Sequence, residues 1–325
     1  MARMLLQLSL AMVLLPLACN GGIGGDGDGS GGDGTVARPG CPDRCGNVSI
    51  PFPFGTKPDC YLDDDYLINC TTTNSNPAPT AFLRHGNIMV TNISLKGEVE
   101  IQKLIAKDCY DRNGTQGPLD SFEPRITLST FTVSTRNKFT AIGCDTYAIL
   151  KGFEGEKRYR TGCMSLCDKE EDVNYGTCNG AGCCQITSFP SGLRNVTLRL
   201  SSYYNHSYVH EFNPCSYAFI VEDGKFNFSK TSFQEMNKTE TLPMILDWSI
   251  GNESCSEAPK RHNYTCYENS MCVNSTTRSG YLCQCLPGYQ GNPYLPNGCK
   301  GDPLDLLCFL FLLRLFSKSP SELVV

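Results

Sequence analysis

Thiols are the reactive groups this chain supplies in excess. Of its twenty cysteines, Cys19 and Cys308 stand apart near the two ends, and eighteen lie between Cys41 and Cys299. Two chemistries suit such a set. Cys163 and Cys167 have a spacing compatible with a zinc site, whereas an even number of cysteines in an exported chain suits disulfides. Arg3, the apolar run from Met4 to Leu17 and the small residues Ala18 and Gly21 read as a secretory signal peptide over residues 1–19. Export favours nine disulfides and no metal, each bridge contributing about 2 to 4 kcal/mol by restricting the unfolded chain. Adjacent Cys183 and Cys184 are then expected to staple two different segments to one point, because bridging neighbours strains the peptide between them.

Catalytic groups are sparse. The chain has four histidines, and no GxSxG, HExxH or phosphate-cradling loop is found. His206 and His210, four apart, resemble a metal pair on paper, but they sit in a strand-rich segment and read as structural. The acidic runs Asp63 to Asp65 and Glu170 to Asp172 read as solvated turns. An enzyme is therefore not expected. A net charge of -5, with no Lys/Arg cluster interleaved with aromatics standing out, argues against nucleic acid as a partner.

Asparagine supplies a different chemistry, that of glycan attachment. Eleven positions satisfy the Asn-x-Ser/Thr rule, against about three or four for random placement. Ten are expected to be used: Asn47, Asn92, Asn113, Asn195, Asn205, Asn227, Asn237, Asn252, Asn263 and Asn274. Asn69 is discounted because Cys70, inside its acceptor triplet, is a disulfide candidate.

The elements that must position these groups read as strands. Gly21 to Gly34 is a glycine- and aspartate-rich linker within residues 20–40. Ile93 and Leu95, a Lys96-Gly97 turn, then Val99 and Ile101 read as a hairpin, and Ile126 to Val133 as a strand. Asp223-Gly224 between apolar residues in Ile220 to Phe228 predicts a second hairpin. The fold class is mostly β, a set of disulfide-rich secreted modules. The divisions expected are a first cysteine-rich domain at 41–150, a second β segment at 151–254, a six-cysteine module at 255–299 and an atypical tail at 300–325. In the tail the apolar run Leu306 to Leu313 is interrupted by Arg314 and is too short for a membrane span.

Five stretches carry a family resemblance: CPDRCGNVSIPFPFG (41–55), NKFTAIGCDTYA (137–148), GAGCCQ (180–185), NPCSYAF (213–219) and LDWSIGNESC (246–255). The chain resembles the extracellular region of plant wall-associated receptor kinases, a galacturonan-binding domain followed by an EGF-like module, truncated before the membrane span and kinase. Cys255, Cys266, Cys272, Cys283, Cys285 and Cys299, with GYQGNPY after the fifth, are similar to an EGF-like module. That resemblance implies the pairs Cys255–Cys272, Cys266–Cys283 and Cys285–Cys299; the other twelve cysteines remain unassigned. Calcium is not expected in this module, since Gly251 to Ser254, Asn274 and Tyr281 keep only part of a calcium-binding pattern. Trp248 reads as core.

What the resemblance implies about function is recognition of pectic galacturonan at the cell wall, by a secreted protein whose relatives are anchored in the plasma membrane. No cofactor is implied, calcium entering only as a bridge between carboxylates. The composition itself is neutral on the ligand, because residues 35–150 carry 11 Lys/Arg against 12 Asp/Glu. A basic groove must then be folded together, and the candidates are Arg44, Lys57, Arg84, Arg112, Arg136 and Lys138, with Phe52 and Phe54 of the opening motif as aromatic partners. The alternative is a secreted protein- or peptide-binding EGF-type module or decoy receptor. A membrane is a partner only for a longer isoform.

Overall fold

A computed structural model describes residues 36–301 apart from 74 and 75. The expected signal peptide, residues 20–35 of the expected linker and the tail beyond Gly301 lie outside the described residues. Two residues each form β1 (Arg44–Cys45) and β2 (Val48–Ser49), and four longer strands follow: β3 (Ile68–Thr73), β4 (Asn76–Leu83), β5 (Met89–Ser94) and β6 (Glu98–Leu104). Next come β7 (Ala106–Cys109), β8 (Ser121–Phe122), β9 (Arg125–Ile126), β10 (Thr132–Val133), β11 (Asn137–Ile142), β12 (Asp145–Glu154) and β13 (Lys157–Leu166). The chain continues through β14 (Cys183–Ile186), β15 (Leu193–Ser201), β16 (Cys215–Glu222), a five-residue helix Ser232–Met236 and β17 (Thr241–Asp247). The EGF-like region contributes β18 (Ser270–Asn274), β19 (Tyr281–Cys285), β20 (Tyr289–Gly291) and β21 (Cys299–Gly301).

These strands build two large antiparallel sheets. The larger runs β13-β12-β15-β10-β17-β6-β5-β4-β3, with β9 also on β15, and the smaller runs β14-β11-β16-β7-β8. Strands of the larger sheet alternate: Val99 and Ile101 of β6, and Ala148 and Leu150 of β12, are buried while their neighbours are less so, as expected for a sheet with one wet face. The smaller sheet is buried on both sides. Phe139, Ala141, Ala218 and Ile220 join the main core against the larger sheet; Tyr217, Phe219 and Val221, alternating with them, enter a second cluster with Phe228 and Met236. Hence β16 reads as a continuous apolar run rather than an alternating one.

All eighteen cysteines from Cys41 to Cys299 are bridged, with no free cysteine among the described residues. The three EGF-type pairs form as the resemblance implied. The others are Cys41–Cys60, Cys45–Cys70, Cys109–Cys215, Cys144–Cys167, Cys163–Cys184 and Cys178–Cys183. Adjacent Cys183 and Cys184 do serve two different segments, because successive side chains of β14 point to opposite faces.

Three expectations need correction. The boundary at 150/151 cuts β12, and the larger sheet interleaves β3 to β6 with β12, β13, β15 and β17; residues 41–150 and 151–254 thus share one sheet and one core. The Asp223-Gly224 turn exists, with Lys225 N–H bonded to Glu222 O at 3.1 Å, but no return strand follows. Phe228 turns instead into the second core, ring-on-ring with Tyr175 and Phe233, and its carbonyl accepts from Gly176 N–H at 3.0 Å. Ile126 to Val133 is two short pieces, β9 and β10, rather than one strand. The Lys96-Gly97 hairpin forms as expected between β5 and β6.

The EGF-like module is docked rather than strung. Tyr294 is fully buried and Leu295 nearly so, in the same cluster as Phe54, Tyr66 and Trp248. Trp248 is the hub: its ring meets Phe54 edge-on at 5.3 Å, Tyr66 edge-on at 6.0 Å and Tyr294 at 5.8 Å. Asn292 Nδ2 donates to Val36 O and Phe52 O, both at 2.7 Å. Gly97, at φ +94°, sits at the seam; a Cβ there would fall 2.7 Å from Leu282 Cδ1 and 3.2 Å from Trp248 O.

Candidate ligand-binding site

The opening motif forms the inner wall of the domain. The proline-spaced segment Ile50 to Phe54 turns at the cis Phe52–Pro53 bond, with Phe54 N–H donating to Pro51 O at 2.9 Å, and Ile50, Phe52 and Phe54 are between 0% and 2% exposed. Phe52 and Phe54 are therefore corrected from ligand contacts to core: Phe54 packs on Tyr66 and Trp248, and Phe52 shows the outside only one ring face, covered by the Arg38 guanidinium at 4.1 Å. The Ile50 to Phe54 half of the motif is inner packing, whereas Asp43, Arg44 and Asn47 of its first half are exposed.

The six cations expected to form a groove are spread over separate elements, and half are neutralised. Arg84, just after β4, pairs with Asp65 at 3.1 Å and donates to Ser129 Oγ at 2.6 Å. Arg136 bridges Glu98 at 2.5 Å and Glu222 at 2.8 Å, and Lys138 pairs with Asp223. Arg44 is exposed on β1 and donates to Asn47 O at 2.9 Å, while Lys57 and Arg112 stand in exposed loops. Arg136 and Lys138 line one cavity together, and the other four stand on separate elements. Lys157, Arg158, Tyr159 and Arg160 on β13 are, however, a basic cluster with an interleaved aromatic that the sequence reading passed over. The signal was available as basic residues spaced by two in a strand.

A shallow cavity of about 150 Å³ near Lys138, Gln185, Asp223 and Phe226 adjoins one of about 190 Å³ near Arg136, Asn137 and Thr187. Both fall short of the roughly 300 to 1,000 Å³ of an ordinary small-molecule pocket. Asn227 lies at the first. All ten acceptor asparagines expected to carry glycans are exposed, whereas Asn69 is half-buried beside the bridged Cys70.

Titratable groups inside the molecule serve the fold. His206 is 0% exposed; Asn213 O lies 2.7 Å from Nδ1, and Ser216 Oγ lies 3.0 Å from Nε2. Burial lowers its pKa. A hydroxyl on an imidazole has the form of an activated nucleophile, but Ser216 is 1% exposed and no substrate could reach it. Gly143, at φ +147°, lets the chain pass over Thr146 and Ser216, where a Cβ would collide with both hydroxyls. His210 is not paired with His206 in a metal cluster, and none is formed by His, Cys, Asp or Glu among the described residues. Lys103, half-buried and donating to Arg125 O at 3.0 Å, is pushed down to about 8 by burial. In the EGF-like module Asn274 Oδ1 accepts from Cys255 N–H at 2.7 Å and Tyr281 is buried, so both are committed to structure. Among the described residues no helix is long and apolar enough to cross a membrane.

The family model of the wall-associated receptor kinase galacturonan-binding domain matches residues 41–103, from the opening motif through most of β6. Wall-associated receptor kinase 2 of Arabidopsis thaliana is 43% identical over 261 residues, covering 80% of this chain and 34% of that protein. This is a wall-associated-kinase-like ectodomain. Wall-associated receptor kinases 3 and 5 of the same plant are each 40% identical, over 278 and 267 residues, covering 81% of this chain and 36% and 34% of theirs. The chain thus spans about a third of the length of these relatives. No solved structure matches it. In this wall-associated-kinase-like chain the matched segment supplies Phe54 and Tyr66, two of the rings packed on Trp248, and the β3 to β6 half of the large sheet, so the family signature records how the domain is held together.

Proposed function

We propose that this ectodomain is exported and binds pectic galacturonan in the cell wall. The observation that carries the reading is the match of residues 41–103 to a domain described as galacturonan-binding. A polymer suits the broad wet face of the large sheet, and the two cavities beside Lys138 and Arg136 are too small for an ordinary small-molecule ligand. Export accords with a fully bridged cysteine set and with exposed glycan acceptors.

Two modes of holding a polyanion are distinguishable. Direct contact with Lys and Arg uses charge-assisted hydrogen bonds, which salt screens over about 8 Å at physiological strength; calcium bridging instead needs the ion. The test is binding of glycosylated, secreted protein to polygalacturonate of defined length over a salt series, with and without chelator. Direct contact predicts affinity that falls steeply with salt and is indifferent to chelation. Absence of binding under every condition refutes the function proposed.

A further inference from the structure

The outward face of the large sheet at its β13 edge carries a grid of cations whose arrangement follows from the ladder register. Lys151 on β12 lies opposite Arg160 on β13 and Thr197 on β15, and Thr197 lies opposite Arg125 on β9. This row crosses four strands, roughly 14 Å at the usual strand spacing. A second row runs Arg158, Phe153, Arg194, and a third Gly162, Ile149, Arg199, each roughly 7 Å from the first along the strands. The alternation that buries Ala148 and Leu150 turns these side chains outward, and Phe153 is 39% exposed among them. Of the six cations, Arg199 is ion-paired, with Glu123 at 3.3 Å, and Arg194 donates to Ser129 O at 3.3 Å. Among the described residues Lys151, Arg158 and Arg160 form no ion pair.

The next row is aromatic. Tyr147, opposite Met164 and Ser201, has the Tyr203 ring at 4.9 Å, and Tyr204 and Tyr208 continue outward from it. Tyr204 is 61% and Tyr208 74% exposed. The loop that bears them is fixed: the Asp145 carboxylate accepts from the N–H groups of Tyr203 and Tyr204 at 2.9 Å and of His206 at 3.1 Å. Rigid tyrosines starting about 13 Å along the strands from the unpaired Lys151–Arg160 row match a polymer several units long that presents a flat sugar ring and a carboxylate in every unit. Asn195, whose Oδ1 accepts from Leu128 N–H at 3.0 Å, and Asn205 border this surface.

We propose that an acidic polysaccharide lies across this face, with Lys151, Arg158 and Arg160 meeting its carboxylates and Tyr204 packing on a sugar ring. The proposal rests on the galacturonan reading and adds a location, on strands outside the matched residues 41–103. The test uses the full glycosylated chain and a galacturonate oligomer of defined length, with binding followed by calorimetry. K151E/R158E/R160E should weaken binding about 30-fold or more, from three exposed charge contacts, while R136E/K138E changes it less than about twofold. Tyr204→Ala, which removes no charge, should weaken it about fivefold. The reversed side chains are solvent-facing, so melting curves should match the parent. Should the triple variant fail to fold, R158Q/R160Q carries the same test at about fivefold. Binding unchanged by these replacements overturns the location while leaving galacturonan as ligand; no binding by the parent chain overturns the function itself. Dextran sulfate bound as tightly as galacturonate, and lost with the same reversals, would make this a general polyanion surface and overturn the commitment to a uronate.

Discussion

Replacing Asp247 with asparagine should make this protein more stable at neutral pH and leave it nearly unchanged in acid. Asp247 closes β17, with Thr132 of β10 on one side of the ladder and Glu98 of β6 on the other, and it is 6% exposed. Neither Asp247 Oδ2 nor Thr132 Oγ1 has a hydrogen-bond partner. Burial pushes the carboxyl up from 3.8 to about 6, with Glu98 adding to the rise and Ser134, Thr277 and Arg136 opposing it. The folded state therefore binds this proton more tightly than the unfolded chain does. Its stabilising effect is fully present below about pH 3.8 and is lost as pH rises through about 6, a change of about 3 kcal/mol in all. Asparagine does not titrate, so the variant escapes the loss.

The assay is denaturant unfolding of parent and variant, disulfides intact, from pH 4 to pH 7.5. The two should be within about 1 kcal/mol of each other at pH 4 and diverge to about 3 kcal/mol at pH 7.5, the variant being the more stable. In thermal unfolding that gap corresponds to roughly 6 to 12 °C. Taking the difference between the two proteins removes the other titrating groups they share. Curves that stay parallel across the range, or a variant less stable at pH 7.5, would refute the reasoning about Asp247.

Three further outcomes are expected. Gly97→Ala should destabilise the protein by about 1 to 3 kcal/mol, from positive φ and the approach to Leu282, as read by denaturant unfolding. Peptide mapping without reduction should recover Cys163 linked to Cys184 and Cys178 linked to Cys183; a Cys183–Cys184 bridge would contradict the β14 geometry. Mass spectrometry of plant-expressed protein should find glycan at several of the ten exposed acceptor sites and none at Asn69, and mobility unchanged by deglycosylation would show that the chain is not exported.

Local signals in the chain were legible where local chemistry decides the outcome. The EGF-type pairs are those that the resemblance of the six-cysteine set implies, and the β5–β6 hairpin was signalled by the Lys96-Gly97 turn between alternating apolar residues. Non-local pairing was not legible. The boundary at 150 failed because β17, late in the chain, inserts between β10 and β6, and nothing in the sequence of Thr241–Asp247 names its neighbours. Phe52 and Phe54 suggested a ligand platform because aromatics suit both a sugar contact and a core, and only burial separates the two. Likewise Arg136 and Lys138 looked free until folding brought Glu98, Glu222 and Asp223 beside them. The basic cluster on β13 went unread because net charge averages over the chain, whereas a sheet sorts alternate residues onto one surface.

The docking of the EGF-like module has a mechanical consequence. Asn292 ties the far end of the chain to Val36 and Phe52, and Tyr66 OH donates to Ser249 O at 2.8 Å on the approach to that module. The two ends of the described chain are thereby clasped at one seam, with Trp248 as its pin. A pull on the sheet face is carried to Cys299 through packed aromatic rings instead of being taken up by a slack joint. The ectodomain should tilt as one stiff lever, so that tension in whatever it holds reaches its C-terminal end as torque.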